Sequence, residues 1–390
     1  MFSNRTSHFE GIPNRLYRQK EAIIREGRPL FDLISANVHP HGIQYPQKIL
    51  KKAFKNAAHE AKIYRPDSAG QQIARMAIQK YYEGEGVDIP EDQIVLTPGT
   101  SISYQYLFQL FANPGDEILC PTPSYPLFDA IAALSDVKII SYRLTPFNKR
   151  WAIDFENLED RITPKTRAIV LISPHNPTGA VATALEMKQL CNIALRFNLP
   201  IISDEVFSPF LMNAKNLPRP TGAMAPLVLI LNGISKMLAL PGIKISWIGI
   251  LGETALVKKT TKILQGISDT FLPVNELAQF ALPMLVEEGR DFQKRYQKEI
   301  KQRYKMAVSI LSSVPNLSFC LPEGGFYITV QIKNPKVNEE KMALSLLEKE
   351  GILIHPGYFY GLPAGHLILS FISKPRLFKK YIEKIVHYCQ

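Results

Sequence analysis

The sequence predicts an α/β protein: a large domain with a mostly parallel sheet sandwiched by helices, joined to a smaller α/β domain. Three observations predict it. Short apolar runs, Ile94-Val95-Leu96 and residues 117–120, 138–142, 168–172, 200–203 and 227–231, alternate with amphipathic helical stretches, the pattern of βαβ units whose sheet is covered on both faces. Nearly every run ends in a loop of small, polar or turn-forming residues: LTPGTS, CPTPSYP, ISPHNPTGA, IISDEVF and LNGISK. From about residue 286 the texture changes. A charged helical stretch (287–312) leads to LSFCLPEGGFYITV, a helix at 338–350, the short strands GILIHPG and HLILSF, and a last helix ending at His387.

The expected division is an N-terminal arm with part of the small domain (1–45), a large domain (46–285) and a small C-terminal domain (286–390). At 390 residues and 46% hydrophobic the chain has ample apolar material for a core, which excludes disordered and fibrous classes. Lys and Arg number 46 against 35 Asp and Glu, a net charge of +11, which invites a nucleic-acid reading. The basic runs at 258–259, 298–305 and 376–384 are interleaved with apolar residues at helical spacing, as on the solvated faces of amphipathic helices, so no nucleic-acid partner is expected. Four scattered cysteines without a CxxC pair argue against a disulfide framework and for a reducing, cytoplasmic setting. The first residues lack the apolar core of a signal peptide, and no run reaches the ~18 apolar residues of a membrane span.

In an open α/β sheet the loops beyond the carboxyl ends of the strands converge, and ligands bind there. Lys236 follows one apolar run and is flanked by small residues; Asp204 and Glu205 close another. A carboxylate placed there is partly buried and needs a cationic partner. A lysine that forms an imine and a carboxylate that keeps a pyridine nitrogen protonated are the two groups that pyridoxal phosphate most needs from a protein.

With NPTG at 176–179, DEV at 204–206 and SK followed by PG within 235–242, the chain resembles the class I/II aminotransferases of the fold-type I pyridoxal-phosphate family, over nearly its whole length. The resemblance implies that Lys236 forms the internal aldimine and later shuttles a proton. It implies that Asp204 pairs with the pyridine nitrogen and that Asn176 hydrogen-bonds the cofactor's O3′. Thr100 and Ser101 at a helix start, Ser235 and Lys244 match the phosphate donors, Lys244 standing where the family usually has an arginine. Tyr125 matches the aromatic that stacks on the ring. Tyr64 matches a tyrosine that reaches the neighbouring subunit's phosphate, so a homodimer is expected. The implied substrates are a small amine or amino acid and a 2-oxo acid.

Three positions depart from the resemblance. Lys244 is one. Phe207 occupies a position where a tyrosine usually donates to O3′, and its loss should raise the imine's pKa. In HLILSF the arginine that clamps the substrate's α-carboxylate is replaced by Ile368. A cation from Arg15, Arg65, Arg376 or Lys374 would restore amino-acid recognition, and the absence of any would favour an amine without an α-carboxylate. The arm segment ISANVHPHG (34–42) is similar to the loop before the substrate in histidinol-phosphate aminotransferases, which would bring His39 and His41 to the site mouth; exposed loop histidines are the alternative. Two other readings stay open: a lyase, decarboxylase or oxidase using the same cofactor, or a catalytically weak protein that only binds it.

Overall fold

The computed structural model describes residues 2–9, 11, 14–214 and 216–389. The arm supplies helix α1 (Arg15–Arg25) and strand β1 (Phe31–Asp32), followed by α2 (Gln47–Ala61) and α3 (Gln72–Gly84). The α/β region then runs β2 (Ile94–Thr97), α4 (Thr100–Phe111), β3 (Glu117–Thr122), α5 (Leu127–Leu134), β4 (Lys138–Phe147), β5 (Arg150–Ile153), α6 (Phe155–Asp160), β6 (Thr166–Ile172), α7 (Ala184–Arg196), β7 (Ile201–Asp204), β8 (Leu227–Gly233), α8 (Ile234–Met237) and β9 (Ser246–Gly252). Helices α9 (Thr254–Phe271), α10 (Glu276–Glu287) and α11 (Arg290–Ser312) lead to β10 (Leu317–Phe319), β11 (Tyr327–Ile332), α12 (Glu339–Glu350), β12 (Ile352–Leu353), β13 (His355–Pro356), β14 (His366–Ser370) and α13 (Pro375–His387).

Eight strands form one sheet in the order β2-β9-β8-β7-β6-β3-β4-β5. The pairs β8–β7, β7–β6, β6–β3 and β3–β4 are parallel, while β9 is antiparallel to both β2 and β8 and β5 is antiparallel to β4. Six strands therefore point one way, and their functional loops leave from one edge. Strands β7 and β8 are buried at every position, as continuous Ile, Leu and Val runs require when helices cover both faces. The antiparallel β5 and β9 are not foreseen from the apolar runs; β9 reads as SWIGILG behind the PGIK turn, a run no longer than the others but reversed in direction.

The second sheet, β10-β11-β14-β13, is antiparallel, and β12 pairs in parallel with β1 of the arm. The expected single strand GILIHPG is thus two short strands in two sheets, with the chain changing partner at Ile354. The expected helix at 287–312 is the single helix α11, which begins at Arg290 after Gly289; the preceding α10 ends at Glu287. Asn338 caps α12 by accepting from Lys341 N at 2.9 Å. Gly351 ends that helix at φ 65°, and a side chain there would run into the Pro29 carbonyl, so glycine lets β12 reach the arm. Buried Arg303 on α11 holds the arm to the segment after β14, donating to His41 O at 3.0 Å and to Ile372 O. No helix among the described residues is long and apolar enough to cross a membrane.

Candidate active site

Each loop at the carboxyl edge of the large sheet delivers one chemical group. Strand β2 ends at Thr97, and Thr100 and Ser101 open α4; Ile102 N and Ser103 N donate to Gly99 O at 3.0 and 3.1 Å, which leaves the N–H groups of Thr100 and Ser101 outside the helical ladder. Tyr125 follows β3, Asn176 follows β6, Asp204 is the last residue of β7, and Lys236 lies on α8 directly after β8. Seven of the expected residues, Thr100, Ser101, Tyr125, Asn176, Asp204, Phe207 and Lys236, line one cavity of about 430 Å³.

Three expected residues do not line it. Ser235 is half-buried beside Lys236, and Lys244 is exposed on the loop before β9 at φ 59°. Tyr64 is 80% exposed on its own chain's surface. Of the cations that could answer for Ile368, Arg15, Arg65, Arg376 and Lys374 all stay outside the cavity wall; Arg65 pairs instead with Glu60 at 3.0 Å. His39 is exposed and His41 half-buried, and neither lines the cavity, although Ile34, Ser35 and Ala36 of the same arm segment do.

Asp204 is buried and, among the described residues, has no cationic partner. It accepts from Tyr104 Oη at 2.8 Å and from Val206 N at 3.1 Å. Burial outweighs these donors and pushes its carboxyl up to about 6. Its neighbour Glu205 points the other way, into a wholly buried ion pair with Arg219 at 2.6 Å. Lys236 is lowered to about 8, first by burial and then by the charge of Lys244. Its Nζ is 6.0 Å from the centroid of the Phe207 ring, which packs edge-on against Phe326 at 5.0 Å. Phe207 therefore makes an apolar wall where the resemblance led to expect a hydroxyl donor.

The opposite wall comes from the arm and the second sheet. Tyr17, Lys20, Asp32, Tyr327, His355 and Tyr360 all face the cavity, and sequence reading missed every one, as it missed Tyr104. A signal was available for two: alternation along GGFYITV and GILIHPG puts Tyr327 and His355 on one strand face each. Ser124 N donates to Tyr360 O at 2.8 Å, so the loop carrying Tyr125 is tied to this wall.

These residues fit pyridoxal phosphate. A buried carboxylate without a cation, the unpartnered buried Oδ1 of Asn176, a lysine of depressed pKa and a helix N-terminus with two hydroxyls are the complement of a pyridinium ring with an aldehyde and a phosphate.

The sequence profile described as "Aminotransferase class I and II" matches residues 33–384. The chain belongs to this family of aminotransferases. It is 29% identical over 361 residues to the glutamate-pyruvate aminotransferase AlaA of Escherichia coli K12, covering 90% of this chain and 88% of that protein. It is 27% identical over 374 residues to the aspartate aminotransferase of Pyrococcus horikoshii, covering 94% of each. The solved alanine aminotransferase of Pyrococcus furiosus superimposes with a TM-score of 0.91 at 26% identity, covering 100% of this chain and 99% of that one. The aminotransferase architecture, a large mixed sheet between helices with a smaller antiparallel sheet beside it, is the one these loops need to meet.

Proposed function

We propose that this aminotransferase uses pyridoxal phosphate to move an amino group between an amino donor and a 2-oxo acid, with Lys236 as the amine to which the cofactor attaches and with a substrate-carboxylate site that lacks the guanidinium clamp. The observation that carries it is the juxtaposition of Lys236 with the buried Asp204 in one cavity. The same reading divides the chain at 45 and 285 and makes it a homodimer in which Tyr64 serves the partner's site, consistent with its exposure.

When bound, the cofactor supplies an electron sink for the pair left by the broken C–H bond of the donor. Asp204 would hold the pyridine nitrogen protonated, and Tyr104 and Val206 N hold Asp204 in place. The amide of Asn176 would bind the ring oxygen, and Tyr125 would stack on the ring. Thr100, Ser101 and their backbone N–H groups at the start of α4 would take the phosphate, and Ser235 and Lys244 would add a hydroxyl and a charge only from outside the cavity wall. Lys236, nearly half neutral around pH 8, takes the proton from the donor carbon at Nζ and returns it to the neighbouring carbon. The wall formed by Phe207, Phe326 and Tyr327 keeps water away from that nitrogen.

The test is reconstitution with pyridoxal phosphate followed by single-turnover measurement with a panel of amino acids and amines. The visible band of bound cofactor should bleach with amino donors and return with 2-oxo acids. Bleaching with release of carbon dioxide or ammonia in place of a 2-oxo acid would contradict transamination.

A further inference from the structure

Position 368 lies on a sheet face that looks into the site. Ile368 is wholly buried on β14, and its register partners are Thr329 on one side and His355 on the other. Paired residues share a face, so Thr329, Ile368 and His355 point together, as does Tyr327 two residues from Thr329. Thr329 Oγ1 donates to Pro177 O at 3.2 Å, which fixes that face against the NPTG loop. No charge stands there: burial pushes the His355 imidazole down to about 4, leaving it neutral.

The charges facing the cavity are few. Lys236 and Asp204 belong to the large-sheet side, and on the opposite wall the described lining residues offer Lys20 and Asp32. Asp32 is largely spoken for, because its Oδ1 accepts from Ile34 N at 2.8 Å and Ser35 N at 2.9 Å and so shapes the turn after β1. Lys20 Nζ is 3.8 Å from Asp32 Oδ2, beyond hydrogen-bond distance. Its side chain is 28% exposed and keeps three donors to place.

Hydroxyl donors stand on the same wall. His355 Nε2 is 3.0 Å from Tyr17 Oη and Nδ1 is 3.0 Å from Tyr360 Oη. A neutral imidazole has one N–H and one lone-pair nitrogen, so one tyrosine donates to it and the other accepts. The accepting tyrosine keeps its own O–H to donate elsewhere.

We infer that Lys20 is the carboxylate-binding residue of the substrate site: its ammonium, with the free hydroxyl of the Tyr17–His355–Tyr360 chain, takes the carboxylate of an amino acid or 2-oxo acid across from Lys236, in place of a guanidinium at position 368. The inference rests on the transaminase reading above and narrows it, since the substrate class becomes amino acids and excludes carboxylate-free amines as preferred donors. Recognition is by one ammonium point charge and hydroxyls, with Asp32 as an internal competitor for that ammonium.

The test compares L-alanine with ethylamine and L-phenylalanine with phenethylamine in single turnovers of the cofactor-loaded enzyme. The wild-type enzyme should favour each amino acid. Lys20→Met should lower kcat/KM for the amino acids about tenfold or more, mainly through KM, and lower it far less for the amines, with cofactor absorption retained. Lys20→Arg should recover most of the loss. Asp32→Asn keeps an acceptor for the two turn N–H groups and removes the competing charge, so it should lower KM for the amino acids. Equal losses for amino acids and amines in Lys20→Met, a wild-type preference for the amines, or a raised KM in Asp32→Asn would overturn this inference while leaving transamination intact. No turnover with any donor would overturn the transaminase reading together with it.

Discussion

The Tyr104 hydroxyl donates to Asp204 Oδ2 at 2.8 Å inside the buried floor of the cavity. A hydrogen bond to the charged form of a carboxylate favours ionisation, and here it works against the burial that raises Asp204. Tyr104→Phe should therefore weaken cofactor binding near neutral pH by roughly fivefold to tenfold, with the loss shrinking as pH rises well above 6. Fluorescence titration of the cofactor at several pH values checks this.

The two shifted groups set a pH signature for the cofactor-free protein. Asp204 titrates near 6 when folded against 3.8 as its ordinary value. Between these values the folded state binds more protons than the unfolded one, so this group makes stability fall as pH rises from about 4 to about 6. Lys236 runs the other way: lowered to about 8 from 10.5, it makes stability rise as pH climbs through that interval. Asp204→Asn should flatten the acid part of the thermal-unfolding profile relative to wild type and leave the alkaline part unchanged.

Phe207 leaves the nitrogen of Lys236 beside a hydrocarbon ring. Phe207→Tyr would place a hydroxyl donor in that region and should lower the pKa of the cofactor–lysine linkage by roughly one unit. A spectral titration of the bound cofactor reads the shift directly, and no shift or a rise would show that the added hydroxyl faces elsewhere.

Tyr64 is 80% exposed on its own chain. If it serves the partner's phosphate, Tyr64→Phe should weaken cofactor binding several-fold in a species that sediments as a dimer. Hybrids of Tyr64→Phe chains with Lys236→Ala chains should contain one repaired site, formed by the Lys236 of one chain and the Tyr64 of the other. Hybrids no better than Tyr64→Phe alone would place Tyr64 outside the site.

Most of the large sheet and its edge loops can be read from the chain, because a strand buried on both faces must be a continuous apolar run and the loop behind it must carry the polar groups. Thus Asp204 after IIS and Lys236 after LNGIS stand out. The strands β5 and β9 escape because direction is not encoded in an apolar run. The opposite wall of the site escapes for a different reason. Tyr17, Lys20 and Asp32 of the arm are more than 300 residues from His355 and meet it only when β12 pairs with β1 and β13 with β14, so no local pattern marks them. Lys20 in particular sits on an amphipathic helix among other cations, where it looks like one more solvated lysine. Tyr104 hides for the converse reason, as an aromatic on the buried face of α4.

Lys236 is proposed both to hold the cofactor and to move the proton. The most direct measurement is the visible spectrum and single-turnover rate of Lys236→Ala beside wild type, each incubated with pyridoxal phosphate and then with an amino acid. The variant should lack the band of lysine-attached cofactor and should transfer the amino group at least about a thousandfold more slowly. A variant that keeps the wild-type band, or converts its donor at the wild-type rate, would contradict the account.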